Sequence, residues 1–141
     1  METHETASAS GTVAFGRRFA RRLVRGDCVA LTGPLGSGKT VLVRGIAEGL
    51  AVSDARNVSS PTFVLVQEYP AKVPIFHVDL YRTVQAEAEL QGLGIEEMLA
   101  DGVVLIEWAD RAGPALPRPR WQIEITPTGL RRRRLSVRRI D

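Results

Sequence analysis

Gly33-Pro-Leu-Gly-Ser-Gly-Lys-Thr40 is a complete GxxxxGK[ST] pattern, and its residue types suit the capture of a nucleotide's phosphates. Glycines at 33, 36 and 38 let the backbone curl until its N–H groups face one anion. A helix opening at Lys39 would present its positive dipole end to that same anion. Lys39 places a cation on the outer phosphates, and the Thr40 hydroxyl is a hard oxygen ligand for magnesium. Ser37 lies inside the pattern and is expected to share in phosphate binding. A glycine-rich turn that merely ends in Lys-Thr is the weaker reading, because the pattern also follows an apolar run and precedes a helical one.

Such a site needs carboxylates for a metal and for an attacking water. Ile75-Phe-His-Val-Asp79 and Val103-Val-Leu-Ile-Glu107 each run through mostly apolar residues into an acid. In open parallel sheets, ligands bind beyond the carboxyl ends of the strands, so both acids are expected to converge on the loop. Glu107, on the drier strand, is expected to hold magnesium directly or through water. Asp79 is expected to orient water or magnesium. Ser60-Pro-Thr-Phe63 lies between the loop helix and the first of these strands. The Thr62 hydroxyl could reach the metal or outer phosphate as a switch segment does. The alternative is a turn with its backbone set by Pro61, which sequence alone favours.

Other chemistry-bearing residues read more plainly. His77 shares the strand face of Asp79 by alternation and is expected to be packed and hydrogen-bonded rather than catalytic. Trp108 suits core packing and contact with nucleotide or partner equally. Arg82 either approaches the site or pairs with a surface acid. Arg131 to Arg134 either hold phosphate or RNA, or solvate a strand edge, the second being favoured. Cys28 reads as a small core residue.

The elements that must position these groups alternate in type. Residues 1–10 read as a flexible polar leader. Phe15, Phe19 and Leu23 then recur at helical spacing, with Thr12 as expected cap and Gly26 as expected stop. Cys28-Val-Ala-Leu31 has the look of a buried parallel strand. A helix is expected from about Lys39 to Leu50. Strands are expected at 63–69 and 75–79, paired as a hairpin. Residues 84–100 are helical in pattern with a break at Gly92 to Gly94. A strand follows at 103–107, then a proline-rich connector and two late strands at 121–126 and 132–140. Strands interleaved with helices predict an α/β fold of the P-loop NTPase kind: a mostly parallel central sheet flanked by helices, with added antiparallel strands. Residues 11–141 are expected to form one domain.

With 141 residues, the chain buries enough surface to need no disulfide or structural zinc. A single cysteine excludes an internal disulfide. No apolar run approaches a membrane span, and the amino end lacks the features of a signal peptide, so a cytoplasmic location is expected. The charge is unevenly placed. Residues 111–141 hold nine arginines against Glu124 and Asp141, while the rest is net acidic. That tail either meets an anionic partner such as RNA or forms a solvated strand edge.

Taken in order, Thr12-x3-Gly16, the phosphate loop, Ser60-Pro-Thr-Phe63, His77-Val-Asp-Leu-Tyr-Arg82, Glu89-Leu90 before Leu93-Gly94, and Ile106-Glu-Trp108 resemble the TsaE family, small bacterial ATPases needed for threonylcarbamoyladenosine on tRNA. The resemblance covers roughly residues 12–126. It implies ATP phosphates on Gly36 to Thr40 and magnesium on Thr40 and Glu107. It further implies Thr12 near the base, Asp79 needed for activity, and a switch at Ser60-Pro-Thr62. It implies TsaD and TsaB as protein partners, with tRNA met indirectly or through the basic carboxyl-terminal strand, and no membrane. Pro34 departs from the family's usual Asp, and Ser37 from its common Ala. Two other readings remain at this stage. One is a small-molecule kinase, which would need a lid within residues 81–100. The other is a non-hydrolysing nucleotide switch or RNA-binding module. A GTPase is disfavoured, since no Asn-Lys-x-Asp base-reading motif is present.

Overall fold

Apolar runs that must be buried on both faces pair at the centre of a sheet, and the polar strands fall at its edges. The computed structural model describes residues 1–53, 55, 58 and 65–141. Its elements are β1 (Glu2–Thr6), α1 (Ala9–Ala20), β2 (Cys28–Thr32), α2 (Lys39–Gly49), β3 (Val66–Tyr69), β4 (Ile75–Asp79), α3 (Ala86–Gln91), α4 (Ile95–Asp101), β5 (Val103–Glu107), β6 (Arg120–Pro127) and β7 (Arg133–Ile140). Two 3-10 turns, Ala109–Arg111 and Gly113–Ala115, lie in the proline-rich connector. Among the described residues these strands make one seven-stranded sheet in the order β1-β7-β6-β2-β5-β4-β3.

The central neighbours β6, β2, β5 and β4 run parallel. The outer pairs, β1 with β7, β7 with β6, and β3 with β4, are antiparallel. Parallel pairing is thus confined to the middle of the sheet, where helices cover both faces. On one face, Phe15 and Phe19 of α1 and Leu42, Val43 and Ile46 of α2 pack on Val29, Leu31, Val103 and Leu105. On the other face, Leu90 of α3 packs among Ala30, Val78, Val104 and Ile106, with Met98 and Leu99 of α4 against them. The observed strands at 75–79 and 103–107 and the break between α3 and α4 match expectation. The described part of the first hairpin strand is β3; residues 63 and 64, also expected in it, lie outside the described residues.

Three local expectations are corrected. Residues 1–10 are not a flexible leader, because residues 2–6 form β1 on the edge strand β7. Polar staples fix β1 where an apolar run would otherwise be needed. Arg22 donates to both carboxylate oxygens of Glu2 at 2.8 and 3.0 Å, holding that carboxyl down at about 2. His4 lies against Phe15, and the Thr6 and Thr12 hydroxyls bond at 2.9 Å. Thr12 is therefore not the helix cap. Ser8 caps α1, its hydroxyl accepting from the Gly11 N–H at 3.1 Å. Gly26 does not stop α1 either, because the helix ends at Ala20 with Arg21 as its C-cap. With φ of 100°, Gly26 instead turns the chain into β2.

Candidate functional site

The loop between β2 and α2 is shaped by its glycines. Gly33, Gly36 and Gly38 take φ of 151°, 77° and 104°, in the left-handed half of the map. A Cβ on Gly33 would also lie 2.6 Å from the Ile125 carbonyl. Gly38 is the N-cap of α2 and has no side chain to cap it, so the helix's first N–H groups need another acceptor. Ser37 is fully buried, and its N–H donates to the Pro34 carbonyl at 3.1 Å. Pro34 removes its own N–H from the loop edge, yet its carbonyl still organises the turn.

Lys39 is buried at the base of this loop. Its ammonium donates to the carbonyls of Gly33 at 2.6 Å and Pro34 at 3.0 Å. The Trp108 ring centroid lies 4.0 Å away. Burial lowers the lysine's pKa, against the upward pull of Glu107, Asp79 and Asp110. Thr40, one residue on, donates its hydroxyl toward the Glu107 carboxylate, 3.1 and 3.0 Å from the two oxygens.

Parallel register brings the two acids to one end of the sheet, with Asp79 directly opposite Glu107. Both lie on the face covered by α1 and α2, because alternation from Ile75 and from Val103 and Leu105 puts them there. Glu107 is 2% exposed. Its Oε2 accepts from His77 Nε2 at 2.5 Å, and His77 Nδ1 lies 3.2 Å from the Tyr69 hydroxyl. A carboxylate with these fixed donors keeps one orientation. Asp79 Oδ1 accepts from the Tyr81 N–H at 2.9 Å, so the strand end turns tightly beside the site. A hydroxyl beside an oriented carboxylate is a donor set that fits a hard divalent cation such as magnesium.

A cavity of about 420 Å³ adjoins the loop. Thr12, Gly36, Ser37 and Gly38 line it together with Ser8 and Ser10 before and within α1, Val41 of α2, and Leu130, Arg131 and Arg133. Its size is that of small-molecule sites. The structure therefore gathers Thr12, the loop glycines, Ser37, Lys39, Thr40, Asp79 and Glu107 at one end of the sheet. Thr62 and the Ser60-Pro-Thr62 segment lie outside the described residues. Trp108 faces the site rather than only the core, with its ring under the Lys39 ammonium; it takes φ of 58°, a strained value for a bulky residue, and lies tilted against Tyr81 with ring centroids 4.9 Å apart. Arg82 is exposed.

Two features escaped the motif reading. Arg133 donates from Nε to the Ser37 carbonyl at 2.8 Å and from Nη2 to the Gly36 carbonyl at 3.3 Å. Alternation from Leu135 and Val137 could have put it on that face. The Tyr69 hydroxyl behind His77 had no sequence signal, because it arrives through hairpin register, two positions along from the Gln67↔His77 pair.

The comparisons with known proteins agree with this architecture. The family described as threonylcarbamoyl adenosine biosynthesis protein TsaE matches residues 6–135. The chain is 41% identical over 113 residues to the tRNA threonylcarbamoyladenosine biosynthesis protein TsaE of Streptomyces coelicolor, covering 78% of this chain and 75% of that one. It is 40% identical over 126 residues to the protein of the same name from Bacillus subtilis, covering 88% and 77%. The fold resembles the crystal structure of Bacillus subtilis YdiB with a TM-score of 0.79 and 30% identity, over 99% of this chain and 86% of that one. None of the described helices is long and apolar enough to cross a membrane. A match spanning residues 6–135, with relatives near 40% identity on top of it, means that the chain belongs to the TsaE family of tRNA threonylcarbamoyladenosine biosynthesis proteins.

Proposed function

We propose that this chain is a magnesium-dependent P-loop ATPase that drives or resets a TsaD–TsaB complex during threonylcarbamoyladenosine modification of tRNA in the cytoplasm. The observation that carries the reading is the meeting of Thr40 and Glu107 at 3.0 Å, one residue from a lysine held in a glycine-rich loop. Three strands and a helix converge on that point, and a solvated turn would have no use for it.

The chain's residues divide the work. N–H groups of Gly36 to Thr40 and the end of α2 bind the phosphates. The 420 Å³ cavity takes the base and sugar, with Thr12 at its wall. Thr40 and Glu107 would hold magnesium, which neutralises charge on the outer phosphates when bound. His77, backed by Tyr69, keeps Glu107 in place. Asp79 orients the attacking water, and Lys39 stabilises charge that develops on the outer phosphate. Of the two described arginines that line the cavity, Arg131 and Arg133, the second is bonded to loop carbonyls, and neither is assigned the part of a finger on the outer phosphate. Turnover by the chain alone is therefore slow, and the partner completes the site.

The kinase reading loses its lid. Residues of α3 and α4 pack on the opposite sheet face from α2, among Phe76, Val78 and Ile106. The RNA-binding reading loses part of its charge, for Arg133 grips the loop, Arg134 meets Glu5 and Arg139 meets Asp27. Direct contact of tRNA with β7 thus has less support than an indirect role. The deciding experiment is co-purification with TsaD and TsaB, with and without ATP, beside ATP turnover of the chain alone and in complex. ATP-dependent association and faster turnover in complex are expected. Brisk hydrolysis by the isolated chain, unaltered by TsaD and TsaB, would contradict partner dependence, and absence of any ATP binding would end the reading.

A further inference from the structure

We infer that Arg133 is a positioning residue: it braces the phosphate loop against the β6–β7 turn and so holds the loop ready for a nucleotide. The inference deepens the nucleotide-site reading above and rests on it. β7 sends Leu135 and Val137 into the core beneath α1 and α2, so Arg133, two residues earlier, leaves the strand on that face. Its fork then spans two segments. Nε and Nη2 donate to the Ser37 and Gly36 carbonyls at 2.8 and 3.3 Å. Nη1 donates to the carbonyls of Arg132 at 2.8 Å and Gly129 at 3.3 Å, in the turn. Both segments line the 420 Å³ cavity that Thr12 also lines.

The grip has a directional consequence. In a trans peptide the C=O and N–H point to opposite sides. Holding the Ser37 carbonyl therefore aims the Gly38 N–H away from the guanidinium. Gly36 and Gly38 flank Ser37, and a Cβ on either would meet nothing within 4 Å, so nothing packs against the loop at those two positions. Buried Ser37 and Lys39 already hold the base of the loop; at its two open glycines an outside brace adds to that hold, and a planar five-donor fork supplies one where a lysine's point charge would not. Among the described residues no carboxylate lies within ion-pair distance of Arg133. Its donors are met by backbone carbonyls on both sides, which is the pattern of a brace.

The test uses the full chain and two readouts. Amide hydrogen exchange is measured on nucleotide-free protein, and MgATP affinity by calorimetry, for the parent, Arg133→Gln and Arg133→Lys. Arg133→Gln is expected to speed exchange in residues 33–40 and 128–132 together, with β2 and β5 unchanged. It should weaken MgATP binding about tenfold, the scale of charge-assisted hydrogen bonds lost. Arg133→Lys should stay within about threefold of Arg133→Gln, since it keeps charge and loses the fork. Parental exchange in both segments overturns the brace. So does faster exchange spread across β2 and β5, which marks general destabilisation, and so does full recovery of affinity by Arg133→Lys. If the parent binds no MgATP, the nucleotide reading fails, and exchange alone still decides the brace.

Discussion

Lys39 sits where several demands meet. Its ammonium rests on two loop carbonyls and the face of Trp108, in surroundings dry enough to lower its pKa. On the proposed function, a cation already fixed at the base of the loop stabilises the charge that appears on a phosphate. Lys39→Ala should lose on the order of 3 kcal/mol of transition-state stabilisation, more than a hundredfold in kcat of the complex. Phosphate release measured with TsaD and TsaB checks this, and turnover within a few-fold of the parent would contradict it. Cys28 shows the same physics without the function. Burial pushes its thiol from 9.0 up to about 12. The folded chain thus keeps the proton that the unfolded chain releases, so this group's contribution to stability falls as pH rises from 9 toward 12. At pH 8 alkylation of Cys28 should be slow and should track unfolding by denaturant. Fast labelling of native protein at that pH would mean that β2 is not buried as described.

At the scale of elements, the loop's position depends on how closely α1 approaches α2. A Cβ built on Gly16 would lie 2.9 Å from Gly45 backbone atoms, and one on Gly45 would run into the Val13 carbonyl. Gly45→Ala gains roughly 1 kcal/mol of helix propensity, but the neighbours it meets are backbone, which cannot turn aside. Overpacking of this kind is worth about 1–3 kcal/mol, so net destabilisation of about 1 kcal/mol is expected in urea unfolding, and a stabilised variant would refute the close approach. Such contacts explain what was legible in the sequence. β4, β5 and α2 were readable because each has a local signal: an apolar run closed by an acid, or a glycine loop opening a helix. β1 was not, because Glu2 to Thr6 carries no apolar alternation and finds its partners at Arg133 to Val137, across the length of the chain. The same distance hid Arg133. The sequence displayed Arg131 to Arg134 as one charge block; alternation separates the faces of Arg133 and Arg134, and the fold then sets one on the loop and the other on Glu5.

For the whole molecule, the sheet order is the central fact. β2 lies between β5 and β6, so the loop leaving β2 has the Glu107 strand end on one side and the β6–β7 turn on the other. The cavity is therefore walled by segments far apart in sequence: residues 8–12, 36–41 and 130–133. A ligand that touches all three favours only the state in which the sheet is complete, and unfolding must release it. Linkage then gives about 2.7 kcal/mol of added stability at a ligand concentration of 100 times Kd. For a chain of this size that corresponds to a rise in Tm of roughly 10 °C. On the proposed function, MgATP should produce such a rise in the isolated chain, because that proposal gives nucleotide binding to the chain and fast hydrolysis to the complex. Lys39→Ala should show a smaller rise at the same concentration. Differential scanning fluorimetry across an ATP titration, with magnesium and with chelator, measures both. A rise that is equal for parent and Lys39→Ala would place the nucleotide away from the loop, and the proposed phosphate site would have to be abandoned.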